Sequence, residues 1–146
     1  MPATADGGNV PLGIWRQNAE RSTPLEPGER ILWIVKDDGR HLIWVVVSTT
    51  PGGEVRLNAW DGAYDAAPKP VFGTPMVAQI TSPEPGVIRT RGAIEGMGPF
   101  SEEVRVMDGG TRFVAHGQVT TADGRVLSWT EDYDWIAPSP GQGAVR

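Results

Sequence analysis

The segment SWTEDYDW at residues 128–135 combines three carboxylates with three aromatic rings. Strand alternation places Trp129, Tyr133 and Trp135 on one face together with a single acid, Glu131. The opposite face carries Ser128, Thr130, Asp132 and Asp134. A carboxylate among aromatic rings is costly to desolvate, so the pKa of Glu131 is expected to rise towards the range that suits a general acid or base. The alternative is that Glu131 only stabilises the core by hydrogen bonding to a nearby Arg, Tyr or Trp.

Short apolar segments between frequent turn sequences predict an all-β fold, either a barrel or a sandwich. Turns such as PGG at 51–53 and ADG at 122–124 separate segments rich in Val, Ile, Thr and Trp. The expected strands lie near 12–18, 30–36, 40–49, 54–60, 75–82, 86–94, 99–107, 111–121 and 125–136. One helical turn is expected within 17–29.

The predicted organisation is a single β domain at 12–137 between two flexible ends. The N-terminal end is the segment 1–11, and the C-terminal end is the tail 138–146, which is rich in Pro and Gly.

The turn TADGR at 121–125 fits a three-residue loop with Gly124 in the left-handed conformation of a G1 bulge. This loop places Glu131 opposite Ala115 and Trp129 opposite Gly117, which leaves room for the indole. The face that contains Glu131 is otherwise apolar. The outward pairs are Arg112 with Asp134, His116 with Thr130 and Gln118 with Ser128.

The preceding hairpin brings a second acid, Glu102, to the same inner face. A two-residue loop at Asp108-Gly109 pairs Val104 with Phe113, Glu102 with Ala115 and Phe100 with Gly117. Glu102 and Glu131 then flank Ala115, with Cα atoms roughly 10 Å apart, or two strand spacings. One alternative is a three-residue loop through Gly110, which would turn Glu102 outwards. Another is a rim position for Glu102, paired with Arg89 or Arg91.

The hairpin KDDGR at 36–40 suggests a third candidate, His41. Pairing Val35 with His41 and Trp33 with Ile43 puts the histidine on the face of Trp33, at the barrel mouth, where it could act as a base. The alternative is a half-exposed histidine beside a turn. The other face holds Leu32, Ile34, Leu42, Trp44 and Val46. Both faces of this ribbon are apolar, so a loop, the tail or a second subunit is expected to cover the outer one.

Aromatic side chains are expected to form the walls of a cavity for a flat or polycyclic ligand. The candidates are Trp33, Trp129, Tyr133, Phe100 and Phe113. Ordinary barrel packing is the alternative for each of them. The irregular segment 61–75 suggests a flap across the mouth, with Tyr64 as its ligand contact; a plain connection is the alternative.

Composition excludes several classes of function. The net charge is −5 without a basic cluster, which argues against nucleic acid as a partner. The chain has no cysteine and two histidines, so thiolate chemistry is excluded and no metal site is predicted. Phosphate and dinucleotide motifs are absent from the sequence, and no cofactor is expected. Without a signal-like or membrane-spanning apolar run, a cytoplasmic protein without a membrane partner is expected.

Several short motifs resemble those of lipocalin-like, calycin-type barrels, in particular a group of small bacterial proteins. The matching residues are Gly13 and Trp15 (G-x-W), Asn18 and Ser22 (N-x-x-x-S), Asp61-Gly62 with Tyr64, Gly73, and Asp123-Gly124. The resemblance implies an antiparallel up-and-down β-barrel of about eight to ten strands, with one mouth and an interior ligand cavity. Some barrels of this type are cofactor-independent isomerases, cyclases or dehydratases. The resemblance supplies no catalytic motif.

The main hypothesis is therefore a barrel that binds a small hydrophobic or aromatic molecule and performs cofactor-independent acid/base chemistry on it, of isomerase, cyclase or lyase type. Glu131 would be the principal acid/base, and Glu102 or His41 the second group. The first alternative is a non-catalytic ligand-binding barrel. The second is a dimeric interaction module, a homodimer formed through the apolar ribbon at 31–47.

Overall fold

The structure is a computed structural model that describes residues 8–23 and 28–137. Ten strands account for most of these residues. They are β1 (Gly13–Gln17), β2 (Arg30–Asp37), β3 (His41–Thr49), β4 (Val55–Ala63), β5 (Lys69–Val71), β6 (Met76–Glu84), β7 (Val87–Ile94), β8 (Gly98–Met107), β9 (Arg112–Thr120) and β10 (Val126–Ala137). Short 3-10 turns span Ala19–Arg21 and Asp108–Gly110. The predicted tail at 138–146 and the first seven residues lie outside the described part.

The strands form one antiparallel sheet in the order β4-β3-β2-β1-β10-β9-β8-β7-β6-β5. The sheet curls until its two edges meet at Ala59 and Phe72, which exchange backbone hydrogen bonds of 3.1 and 2.7 Å. The prediction of an antiparallel up-and-down barrel is confirmed. Pro70 lies in β5, an edge position at which a missing N–H is tolerated.

The N-terminal residues close one end of the barrel. The backbone N–H groups of Asn9 and Val10 donate to the carboxylate of Asp37 at 2.9 and 3.3 Å, and Val10 is buried. The Asn9 side chain accepts from the N–H of Gly86 at 3.0 Å. Barrel contacts therefore begin by Asn9, inside the segment 1–11 that was predicted to be flexible. Trp15 is fully buried, and its indole N–H donates to a backbone carbonyl of this segment at 3.2 Å.

The N-x-x-x-S motif holds a 3-10 turn against β10. Asn18 caps the turn by accepting from the N–H groups of Glu20 and Arg21 at 3.0 and 3.2 Å. The Ser22 hydroxyl donates to the Asn18 carbonyl and accepts from the N–H of Asp132 at 3.0 Å. The predicted helical turn exists, and its two motif residues attach it to the barrel wall.

The β9–β10 hairpin has the predicted register. Glu131 lies opposite Ala115 and Trp129 lies opposite Gly117. Gly124 has a φ of 84°, in the left-handed region that the turn requires. The apolar and polar faces exclude a slip by one residue, which would bury the polar set, and the turn at Gly124 selects this pairing among the remaining registers.

The β8–β9 register differs from the prediction by two residues. Glu102 lies opposite Gly117 instead of Ala115, and Val104 takes the place opposite Ala115. The connection is longer than the predicted two-residue loop, because Asp108–Gly110 forms a 3-10 turn. A shift by two keeps every side chain on its face, so Glu102 still points inwards with Glu131.

The predicted β2–β3 register is wrong. Val35 pairs with Trp44 instead of His41, and Trp33 pairs with Val46. The carboxylate of Asp38 accepts from the N–H of His41 at 2.7 Å and so fixes a tighter turn. The shift by three residues exchanges the two faces of β3, so Trp44 points into the barrel and His41 points out.

A buried ion pair holds the outer face of β10. Asp132 is 2% exposed and accepts from the guanidinium of Arg112 at 2.9 and 2.5 Å, with Arg21 at 3.1 Å. Burial alone raises the pKa of Asp132, but the hydrogen bonds from both arginines outweigh it and hold the pKa below its usual value. Arg112 and Asp134 are backbone partners as predicted, whereas the carboxylate of Asp134 pairs with Arg21 at 2.5 Å.

Candidate ligand-binding cavity

The barrel encloses a cavity of about 250 Å³ with mostly apolar walls. Its floor includes Val10, at the closed end. At the other end, where β3 ends and β4 begins, the lining residues Ser48 and Asn58 are half-buried. Apolar walls with a few polar groups are typical of small-molecule sites.

Aromatic rings form one side of the cavity. The Trp33 ring lies with its centroid 5.0 Å from that of Trp44 and 6.0 Å from that of Phe113. Phe113 stacks on Tyr133 at 4.7 Å. These contacts fix the orientation of the rings before any ligand arrives, which lowers the entropic cost of binding.

Glu102 projects from β8 into the cavity. The indole N–H of Trp129 donates to its carboxylate at 3.1 Å. Gly117, between the two on β9, makes this contact possible, because a Cβ atom at that position would collide with the Trp129 ring. Burial raises the pKa of Glu102, and the hydrogen bond from Trp129 offsets only part of that rise.

Glu131 projects from β10 into the same cavity. Burial, with a smaller contribution from the negative charge of Glu102, raises the pKa of Glu131 to about 8. The Tyr133 hydroxyl donates to the Glu131 carboxylate at 3.4 Å, which opposes the rise. Burial also raises the pKa of Tyr133, so this hydroxyl stays protonated near neutral pH.

The two carboxyl groups titrate as a pair. Each one disfavours ionisation of the other, and both are enclosed by the barrel wall although they face the cavity. Near neutral pH the pair therefore carries at most about one negative charge. Such a pair can donate and accept a hydrogen bond, or balance one positive charge.

Four of the five predicted wall residues line the cavity, and Tyr133 does not. Those in the wall are Trp33, Trp129, Phe100 and Phe113. Tyr133 is completely buried behind Glu131, so it supports that carboxylate and does not face the cavity. Trp44 also lines the cavity, and it was missed because the predicted β2–β3 register faced it outwards.

Tyr64 and His41 are not at the cavity. The Tyr64 hydroxyl donates to Asp37 at 2.6 Å, at the closed end of the barrel, and accepts from the Asn9 side chain at 3.3 Å. Tyr64 is therefore not part of a flap across the barrel mouth. It directly follows β4, which extends to Ala63. His41 is exposed beside its turn, which is the alternative considered for it.

A larger depression of about 570 Å³ lies along β7–β10. Its polar groups pair with one another: Arg89 donates to Glu103 at 3.0 Å, and His116 contacts Thr130 at 3.1 Å. It is open to solvent and shares Thr90, Glu102 and Trp129 with the interior cavity. The interior cavity has the more apolar wall and is the better candidate for a specific site.

The described residues contain no group of three or more His, Cys, Asp or Glu side chains that could hold a metal ion. Within residues 8–23 and 28–137, no helix has the length and apolar character needed to cross a membrane.

Solved structures share this fold at low sequence identity. A mutant of the fluorescent protein UnaG has a TM-score of 0.59 and 10% identity over 86% of this chain and 96% of its own. The zebrafish ileal bile acid-binding protein, complexed with cholic acid, has a TM-score of 0.55 and 12% identity over 86% and 98%. The secretory abundant heat soluble protein 4 from Ramazzottius varieornatus has a TM-score of 0.53 and 13% identity over 86% and 94%.

The chain thus has the fold of a calycin-like up-and-down β-barrel. No protein-family model matches its sequence, and no curated protein matches it either.

Proposed function

We propose that the protein binds a small, mostly apolar molecule inside the barrel and does so without catalysing a reaction. One observation carries this proposal: an enclosed cavity of about 250 Å³ whose apolar and aromatic wall is interrupted by one pair of carboxyl groups. The bile acid-binding neighbour supports it, because the same barrel shape holds a small molecule there.

The cavity volume limits the size of the ligand. At about 250 Å³ it lies below the roughly 300 Å³ at which typical ligand pockets begin. A ligand of one or two fused rings is therefore expected to enter without rearrangement. A larger one requires Met76 or Trp129, both half-buried in the wall, to move.

The test of binding uses 2-(1-naphthyl)ethanol, a neutral probe with two fused rings, titrated by calorimetry. A dissociation constant on the order of 100 μM is expected for a compound of this size. Asn58→Trp should abolish binding, because Asn58 lines the cavity and a Trp side chain there would fill part of it. Leu57→Trp is the matched control, since its neighbour Leu57 is 61% exposed on the outer face. Equal binding by both variants would place the probe elsewhere.

Acid/base catalysis by Glu131 is a second candidate, favoured by its pKa of about 8. Isomerase, cyclase or lyase chemistry would need only proton transfer in a shaped, dry cavity. For any ligand that is turned over, Glu131→Gln is expected to retain binding and to lower turnover at least about 100-fold. Unchanged turnover would assign Glu131 to ligand binding alone. Glu102 would serve as the second group.

A homodimer through the outer face of β3 and β4 is proposed as well. Ile43, Val55 and Leu57 are 47%, 63% and 61% exposed there, next to Phe72 at 61%. Exposed apolar side chains grouped on one face are typical of interaction sites. Leu57→Lys is expected to convert a dimer to a monomer in analytical ultracentrifugation. Val126→Lys, at a position 59% exposed on β10, is the control. Wild-type protein that sediments as a monomer would refute the dimer.

A cytoplasmic location and a place among the small bacterial lipocalin-like proteins remain proposals. Both come from the sequence: the charge and apolar patterns for the first, and the short motifs for the second.

A further inference from the structure

The charge on the cavity wall restricts the ligand. Glu102 and Glu131 are the ionisable side chains among the residues that line it. The lining contains no Arg, Lys or His from the described part of the chain. A ligand carboxylate would enter with no positive partner and would lie near two acids, which is unfavourable in a weakly hydrated space.

We propose that the cavity selects small organic cations: a protonated amine on an aromatic or aliphatic body, with its nitrogen between the carboxyl groups of Glu102 and Glu131. This inference rests on the proposed ligand-binding function and adds the charge of the ligand to it. The cavity supplies both requirements for a lipophilic cation, an apolar space for the body and a local negative charge for the nitrogen.

The aromatic wall suits a cation as well. Trp33 and Trp129 line the same cavity as the two acids, and indole faces attract ammonium groups within about 6 Å. The Trp129 N–H already occupies one oxygen of Glu102 at 3.1 Å and so orients the carboxylate before binding. Preorganised acceptors lose less entropy when the ligand arrives.

Binding of a cation should also be linked to proton release. The groups that face Glu131 are Glu102 on β8, the Tyr133 hydroxyl on β10 and, more distantly, Glu29 before β2. Since none of them is cationic, the carboxyl pair keeps a proton that an ammonium group would displace. Amine affinity should therefore rise with pH towards about 8, and fall once the amine itself deprotonates, near pH 10.

The experiment compares three probes with one naphthyl body: 2-(1-naphthyl)ethylamine, 2-(1-naphthyl)ethanol and 1-naphthaleneacetate. At pH 8, calorimetry is expected to show the amine binding at least about 10-fold more tightly than the alcohol, and the carboxylate more weakly than both. Repeating the amine titration in buffers of different ionisation enthalpy should reveal proton release.

Three variants locate the effect. Glu131→Gln is expected to lower the preference for the amine over the alcohol, and the double variant Glu102→Gln/Glu131→Gln is expected to abolish it. Glu103→Gln removes the neighbouring acid on the outer face of β8 and should change none of the affinities. This control is needed because a net charge of −5 attracts any cation weakly.

The outcomes are distinguishable. Alcohol binding without an amine preference would overturn the inference and leave the ligand-binding function in place. A full amine preference in the double variant Glu102→Gln/Glu131→Gln would overturn it too, since the charge effect would then lie outside the cavity. Failure of all three probes to bind would refute the ligand-binding function together with the inference.

Discussion

Gly117→Ala is expected to destabilise the folded protein by about 2–3 kcal/mol, the upper part of the range for overpacking a core. The added Cβ atom would collide with the ring of Trp129, which projects from β10 and covers Gly117 on the neighbouring strand β9. Trp129 must then move, and its hydrogen bond to Glu102 breaks. Urea denaturation followed by circular dichroism measures the free energy of unfolding.

The matched control is Gly52→Ala, in the exposed turn between β3 and β4. No atom lies closer than 3.9 Å to a Cβ built there, and the residue does not need a positive φ. The free energy of unfolding should change by less than about 0.5 kcal/mol. If Gly117→Ala lowered the free energy of unfolding no more than this control, the Trp129 side chain would be able to move aside at little cost. Tryptophan emission should shift in Gly117→Ala alone.

Glu131→Gln is expected to make the protein more stable than wild type at alkaline pH, by about 2–4 kcal/mol at pH 9. The pKa of Glu131 is about 8 in the folded protein and near 4.5 when unfolded. A raised pKa means that the folded state holds its proton longer, so wild-type stability falls as pH rises from about 4.5 through 8. Gln stays neutral and does not suffer this loss. One pKa unit corresponds to about 1.4 kcal/mol, and solvent screening of this incompletely buried carboxylate reduces the effect below the full shift.

The measurement is the difference in the free energy of unfolding between variant and wild type, from pH 5 to pH 9. The difference should be small at pH 5 and should grow with pH. Glu103→Gln should give a difference that stays nearly constant from pH 5 to pH 9, because hydrogen bonds from Arg89 and Arg105 lower the pKa of Glu103 and its contribution is lost only below this range. A Glu131→Gln difference that is constant with pH would mean that Glu131 titrates normally.

The sequence predicted register where the two faces of a strand differ in polarity. On β9 and β10 the apolar side chains lie on one face and the polar side chains on the other, and Gly124 fixes the turn. The position of Glu131 opposite Ala115 was therefore predictable, and so was the space that Gly117 leaves for Trp129.

Register was not predictable for β2 and β3, because both faces of this ribbon are apolar and periodicity cannot choose between them. The turn is decided by Asp38, whose carboxylate binds the N–H groups of Arg40 and His41. That local contact turned His41 outwards and Trp44 inwards. Propensity patterns carry little information about such side-chain to backbone bonds.

The position of Tyr64 is a second feature that could not be predicted from the sequence. Its hydroxyl binds Asp37, which the chain also uses to bind the N–H groups of Asn9 and Val10. Each of these three donors lies 27 or 28 residues from Asp37 in the sequence, so these hydrogen bonds form only in the tertiary structure. Nothing local to residues 61–75 indicates that the tyrosine belongs to the closed end.

The clamp of Asn18 and Ser22 on β10 has a consequence for recognising related sequences. Asn18 donates to Asp134 at 3.2 Å and Ser22 binds the backbone of Asp132, so both act on the outside of the wall. Neither residue lines the cavity. An N-x-x-x-S signature after G-x-W therefore reports how the turn is attached to the barrel wall and does not report the lining of the cavity. The proposed ligand preference depends on inward positions such as 102 and 131, which a search by these motifs does not compare.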